Sequence, residues 1–122
     1  MSAAFAVRLA DSDGVSARVI ELDLGSLGAA TDHPYDITRY FLETAGAVLL
    51  PLTRLVLKRA RPDGVSSAAR LMRAAYEGRH PRRAPIAARP YSGDDFLVED
   101  GNSTVLNAIA SGWPDILAVV VG

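Results

Sequence analysis

The order of strand-like and helix-like segments predicts a small α/β (α+β) domain, and three observations carry that prediction. Segment 96–121 runs as strand, polar turn, short helix, glycine stop and second strand, with turn or cap residues at each boundary. Val65, Ala68, Ala69, Met72 and Tyr76 recur at helical spacing ahead of Gly78. Ile116–Val121 is a continuous apolar run, which reads as a buried strand, central or parallel to a neighbour.

Taken in order, residues 1–15 are small and polar, with a turn over Asp11–Gly14. Ala17–Asp23 alternates apolar and polar positions, as a first strand does. Segment 25–34 is loop-like. A helix over 37–44 follows, with Asp36 placed to cap it and Gly46 to end it. Ala47–Leu52 is a short apolar strand; Pro51 puts it at a sheet edge or a strand end. Leu55–Leu57 extends the apolar run. Asp63 then caps a helix through Glu77, and the proline-rich 79–85 stretch is a loop. Ile86–Arg89 and Phe96–Val98 are strands joined by the turn cluster 90–95. On the helix after residue 104, Val105, Leu106, Ile109 and Ala110 mark the buried face. Residues 1–46 therefore read as an N-terminal extension, a strand plus a helix, packing on the domain formed by 47–122.

Composition bounds the function. The chain has 122 residues, enough for one core, and its 49% hydrophobic and 22% charged content excludes a disordered chain. Cysteine is absent, which removes disulfides, thiolate metal sites and cysteine catalysis. His33 and His80 show no metal-ligand spacing, so no structural metal is expected. No apolar run approaches the ~20 residues that span a bilayer, and Met1–Arg8 lacks a basic leader, so the expected location is cytoplasmic without membrane association. Lysine occurs once among the thirteen basic residues, as in chains from GC-rich bacterial genomes. The net charge of −1 hides a segregation: residues 54–89 hold ten basic and two acidic groups, while 90–122 hold five acidic and no basic ones. Such a split means either internal pairing or a basic face for an anionic partner.

The polar turn Asp100-Gly101-Asn102-Ser103-Thr104 falls where a strand hands over to a helix. Free N–H groups and the positive end of the helix dipole make that junction suited to an anion. Plain helix capping by Asn102 or Ser103 explains the same residues without a ligand.

Several pieces of this order resemble the ParB/sulfiredoxin-like superfamily, over about residues 48–121. Leu50-Pro-Leu-Thr-Arg-Leu55 resembles its opening strand and loop, and Pro85-Ile86 its second strand after a helix. Phe96-Leu-Val-Glu-Asp-Gly-Asn is similar to the signature that opens its phosphate-binding helix, and Ala108-Ile-Ala-Ser-Gly-Trp-Pro-Asp-Ile-Leu-Ala-Val-Val to its ending. The resemblance implies a mixed sheet packed with short helices, and a nucleotide or other phosphorylated small molecule bound at Asp100, Gly101, Asn102, Ser103 and Thr104. ATP, ADP or CTP with Mg²⁺ are the implied cofactors; a phosphotransferase or nucleotide hydrolase is the implied enzyme class. Gly101 would let the backbone approach phosphate.

The pattern departs from the family in three places. Ser103 and Thr104 stand where the family has His or Glu followed by Arg. Arginine is the best bidentate phosphate ligand, so Arg79, Arg82 and Arg83 are the candidates to replace it. The sulfiredoxin cysteine is missing, which excludes sulfinic-acid reduction, and no DNA-binding helix-turn-helix follows within these residues. Asp63, His80 and Glu99 are the weak candidates for an acid/base role, against capping or surface roles for each. The alternative function is a non-catalytic adaptor of the same fold that uses the basic 54–89 segment to contact nucleic acid or a protein partner. A homodimer is compatible with either function.

Overall fold

The computed structural model describes residues 4–122; Met1–Ala3, the start of the segment inspected for a leader, lie outside the described residues. It is a mixed α+β fold with a five-stranded sheet in the order β3-β7-β5-β6-β4 and a separate two-stranded hairpin β1-β2. The strands are β1 (Ala4–Ala10), β2 (Ala17–Asp23), β3 (Val48–Pro51), β4 (Leu55–Val56), β5 (Ile86–Pro90), β6 (Phe96–Asp100) and β7 (Asp115–Val120). The helices are α1 (Ile37–Tyr40), α2 (Pro62–Tyr76) and α3 (Asn102–Ala110). No helix among the described residues is long and apolar enough to cross a membrane.

Strand β7 lies between β3, antiparallel to it, and β5, parallel to it. Its alternate residues Ile116 and Ala118 are fully buried, as the apolar run requires. Pro51 ends β3 at the sheet edge, where a missing N–H costs no ladder bond. The core gathers Leu50, Ile86, Ala88, Val98 and Ile116 from the sheet with Val65, Met72, Val105 and Leu106 from α2 and α3.

Three elements differ from expectation. Ala4–Ala10 is a strand: Phe5, Val7 and Leu9 alternate with small or polar residues and pair with Leu22, Ile20 and Arg18 of β2. One isolated parallel bridge, Leu9 to Leu57, tethers this hairpin to the chain just after β4: Leu57 N–H donates to Arg8 O at 2.8 Å and Ala10 N–H to Leu57 O at 2.9 Å. Helix α1 is a single turn, because Phe41 becomes extended (φ −120°, ψ 144°) and bridges to Arg83. Helix α2 starts before Asp63, with Pro62 in the first turn and Arg61 at the N-cap, so the fixed φ of proline opens it rather than a capping carboxylate.

Residues 24–41 are built into the core. Leu24 and Tyr40 are completely buried and Phe41 nearly so. Trp113 Nε1 donates to His33 O at 2.9 Å, Tyr40 Oη to Pro34 O at 2.6 Å, and the Tyr40 and Trp113 rings lie 4.8 Å apart. His33 itself is buried, and neither ring nitrogen has a hydrogen-bond partner among the described residues. Burial, with the Arg73 guanidinium nearby, holds its pKa below the ordinary 6.5. The fold therefore contains the neutral ring, while the unfolded chain takes up a proton below about 6.5. Unfolded chains then bind more protons than folded ones, so stability falls as pH drops from about 6.5, by at most about 1.4 kcal/mol per pH unit for one proton. Urea midpoints at pH 7.5 and 5.5 are expected to diverge for the natural chain and to converge in His33→Phe; an equal divergence in the variant assigns the acid sensitivity to other groups.

Candidate functional site

The site forms where β6 hands over to α3. Asp100 ends the strand and Asn102 opens the helix, so Gly101 alone makes the turn, with φ 99°. The first intrahelical bond runs from Val105 N–H to Gly101 O at 3.0 Å. The N–H groups of Asn102, Ser103 and Thr104 thus precede the helical ladder and carry the positive end of the dipole.

Helix α2 supplies the facing wall with Gly64, Ser67, Ala68 and Leu71, which share one helical stripe. The helices approach closely because residue 64 has no side chain: a Cβ there would lie 2.7 Å from Ser103 Oγ. Between them is a lobe of about 260 Å³ whose cationic side chains are Arg59 and Arg83 and whose carboxylate is Asp100. A second lobe of about 320 Å³ adds His80, Pro81, Arg82, Pro85 and Ile86. The two lobes share Leu71, Arg83, Asp100, Gly101 and Thr104, and so make one groove.

Arg83 stands at the junction. Its backbone is clamped at both polar atoms: N–H donates to Tyr40 O and O accepts from Leu42 N–H, each at 2.8 Å. Its Nη1 is buried with no hydrogen-bond partner among the described residues. A guanidinium so placed is short of an acceptor, and an anion in the groove would supply one.

The chain matches no protein-family model and no curated protein.

Ser103 and Thr104 both border the groove, with Thr104 almost wholly buried. Asn102 contributes its backbone, but its side chain is engaged inside the fold. Asn102 Oδ1 accepts from Lys58 N–H at 2.8 Å and Nδ2 donates to Val98 O at 3.3 Å, tying the end of β4 to β6. Gly101 has a packing cause, since a Cβ there would come within 2.6 Å of Ile86 Cγ2. Phosphate approach is not needed to explain it. Arg82 borders the second lobe and donates to Thr38 O at 2.9 Å. Arg79 is outside the groove and is paired with Glu77.

The three acid/base candidates separate in the same way. Asp63 is exposed in the first turn of α2, outside both lobes. Glu99 is bridged by Lys58 and Arg89, and hydrogen bonds from both hold its carboxyl below the usual range, leaving it an ionised structural group. His80 is exposed at the second lobe, with Nδ1 3.0 Å from Pro81 O. Of the acidic groups after residue 90, Asp95 pairs with Arg8 at 2.7 Å, not with the 79–89 arginines.

Arg59, Gly64, Ser67 and Leu71 are groove residues that sequence reasoning passed over. Their only local signal is the run of small residues at positions 64, 67 and 68 of an otherwise amphipathic helix. Among the described residues there is no cluster of three or more acidic or histidine side chains able to hold a metal.

Proposed function

We propose that this chain is a ParB/sulfiredoxin-like domain that binds a nucleotide or another phosphorylated small molecule in the groove between α2 and α3. The observation that carries the proposal is Arg83, fixed in the groove wall with a buried Nη1 that lacks a partner among the described residues. It takes the place of the arginine that the Ser103-Thr104 sequence lacks, and Arg59 flanks the same lobe. Phosphate oxygens would accept from these guanidinium groups, from the α3 N–H groups and from the hydroxyls of Ser103 and Thr104. The first lobe, about 260 Å³, falls just short of the roughly 300–1,000 Å³ typical of small-molecule pockets and the second, about 320 Å³, just reaches it, while the joined groove lies within that range. Magnesium fits this donor set only as a passenger on the phosphates, with Asp100 as its protein carboxylate. For a phosphotransferase or nucleotide hydrolase, Asp100 and His80 are the groove's proton acceptors.

Calorimetric titration with ATP, ADP and CTP, with and without Mg²⁺, tests the proposal. Arg83→Ala is expected to weaken binding about 10- to 100-fold, as loss of charge-assisted hydrogen bonds does. Arg79→Ala should leave it unchanged. Absence of heat with all three nucleotides, or an Arg83→Ala variant of undiminished affinity, would overturn it.

A further inference from the structure

The basic residues of segment 54–89 divide into two groups. Lys58 and Arg89 share Glu99, Arg73 is paired with Asp32, and Arg79 with Glu77. Arg54, Arg59, Arg61, Arg70, Arg82 and Arg83 form no ion pair with any described residue. Four of these six, Arg59, Arg70, Arg82 and Arg83, belong to one surface. Arg59 and Arg83 border the first lobe, and Arg82 and Arg83 the second. Arg70 reaches the rim, where its Nη2 donates to Ser67 Oγ at 3.2 Å. Apolar groups border the same lobes: Leu71, 37% exposed, is common to both and to the α2 face that carries Arg70, while half-buried Pro85 and the edge of buried Ile86 line the second.

One phosphate group cannot engage four guanidinium groups distributed over two lobes and a helix rim. Unneutralised arginines flanked by apolar surface are complementary to a ligand that carries both phosphates and ring faces. An acidic peptide offers the charge without the apolar component. Arginine also suits both parts, since its planar fork pairs with phosphate and stacks on rings. We infer that the groove takes a short single-stranded nucleic acid, with one phosphate between Arg59 and Arg83 and its neighbours on Arg82 and Arg70. This inference rests on the phosphate-binding role proposed above and extends it from a free small molecule to a polymer.

Competition binding of 5′-phosphorylated oligothymidylates, from the mononucleotide to strands of about four and about eight nucleotides, tests it. Affinity is expected to rise at least about tenfold from the mononucleotide to the four-nucleotide strand, with little further gain. Three or four phosphate contacts predict a log–log salt slope of about −2 to −3 for a single strand. Arg70→Glu, an exposed substitution, should remove the gain with length while the mononucleotide still binds. A mononucleotide that binds as tightly as the longer strands overturns the polymer and leaves the small-molecule site standing. Equal competition by a poly-glutamate peptide of matched charge overturns it in favour of an acidic protein partner. If nothing in the series binds, this inference and the phosphate site fall together.

Discussion

Gly101→Ala is expected to destabilise the fold by about 3 kcal/mol or more, from two causes acting together. The left-handed backbone at φ 99° costs a residue with a Cβ about 1–2 kcal/mol. The new methyl would also lie 2.6 Å from Ile86 Cγ2 and 3.0 Å from Ile86 Cβ, and overpacking of that kind costs about 1–3 kcal/mol. The two causes are separable by substitution. Asparagine tolerates positive φ better than alanine does, yet carries the same Cβ. Gly101→Asn should therefore remain badly destabilised, whereas at a glycine required only by its φ it would be mild. In an Ile86→Ala background the cost of Gly101→Ala should shrink by roughly the overpacking share, which a double-mutant cycle of urea unfolding would read as coupling. If the cycle shows no coupling, Ile86 is not the reason for this glycine. The result bears on the site, because Gly101 sets the start of α3 and hence the direction of the three leading N–H groups.

Much of the fold is legible in the residues because local signals and tertiary packing agree along 86–121. There each strand and helix is bounded by Gly, Pro, Asp or Ser, and the apolar period matches the burial that the structure shows. Agreement fails where a local pattern admits two readings. Ala4–Ala10 carries the two-residue period of a strand, but alanine and arginine at alternate positions make it read as a small, polar stretch. Ile37, Tyr40 and Phe41 fit one face of a longer helix and equally fit a single turn followed by a strand bridge. The bridge to Arg83, more than 40 residues away, decides between them.

The groove was half legible for a related reason. Asp100–Thr104 announces itself by turn chemistry, which is local. Arg59 and Leu71 become groove residues only because α3 starts opposite α2, and beyond the small residues at 64, 67 and 68 nothing in the local sequence says so. Arginine choice shows the same limit. Arg79, Arg82 and Arg83 are equivalent in sequence, but Glu77 two residues away claims Arg79, whereas Tyr40 and Leu42 hold the backbone of Arg83 in the groove wall. Asn102 reads as a cap from its place at the turn, and Asn107 carries no local signal at all. Both are buried, each serving a long-range hydrogen bond.

Asn107→Leu provides the sharpest test of that second kind of residue, with an expected loss of about 2–4 kcal/mol. Asn107 is completely buried in α3 and makes contacts to three segments. Its Oδ1 accepts from Ala30 N–H at 2.9 Å, and its Nδ2 donates to Val65 O of α2 and Ser103 O of α3, each at 3.0 Å. Leucine keeps the branched heavy-atom outline, with two bulkier methyls in place of the amide oxygen and nitrogen, but leaves the Ala30 N–H without its acceptor, which is the costly part, since the two carbonyls keep their helical partners. The loosened segment carries His33, whose carbonyl accepts from Trp113 Nε1, so tryptophan fluorescence reports the release alongside urea unfolding. Asn107→Asp separates hydrogen bonding from packing. A carboxylate at that position keeps the bond from Ala30 but faces the carbonyls of Val65 and Ser103 with no proton to donate, and its burial raises its pKa. The folded variant then binds more protons than the unfolded chain, so its stability should rise as pH falls from neutrality, opposite in sign to the His33 effect. A leucine variant within about 0.5 kcal/mol of the natural chain, the scatter of ordinary surface substitutions, would show that Ala30 finds another acceptor and that Asn107 does not join the N-terminal segment to the two helices of the groove.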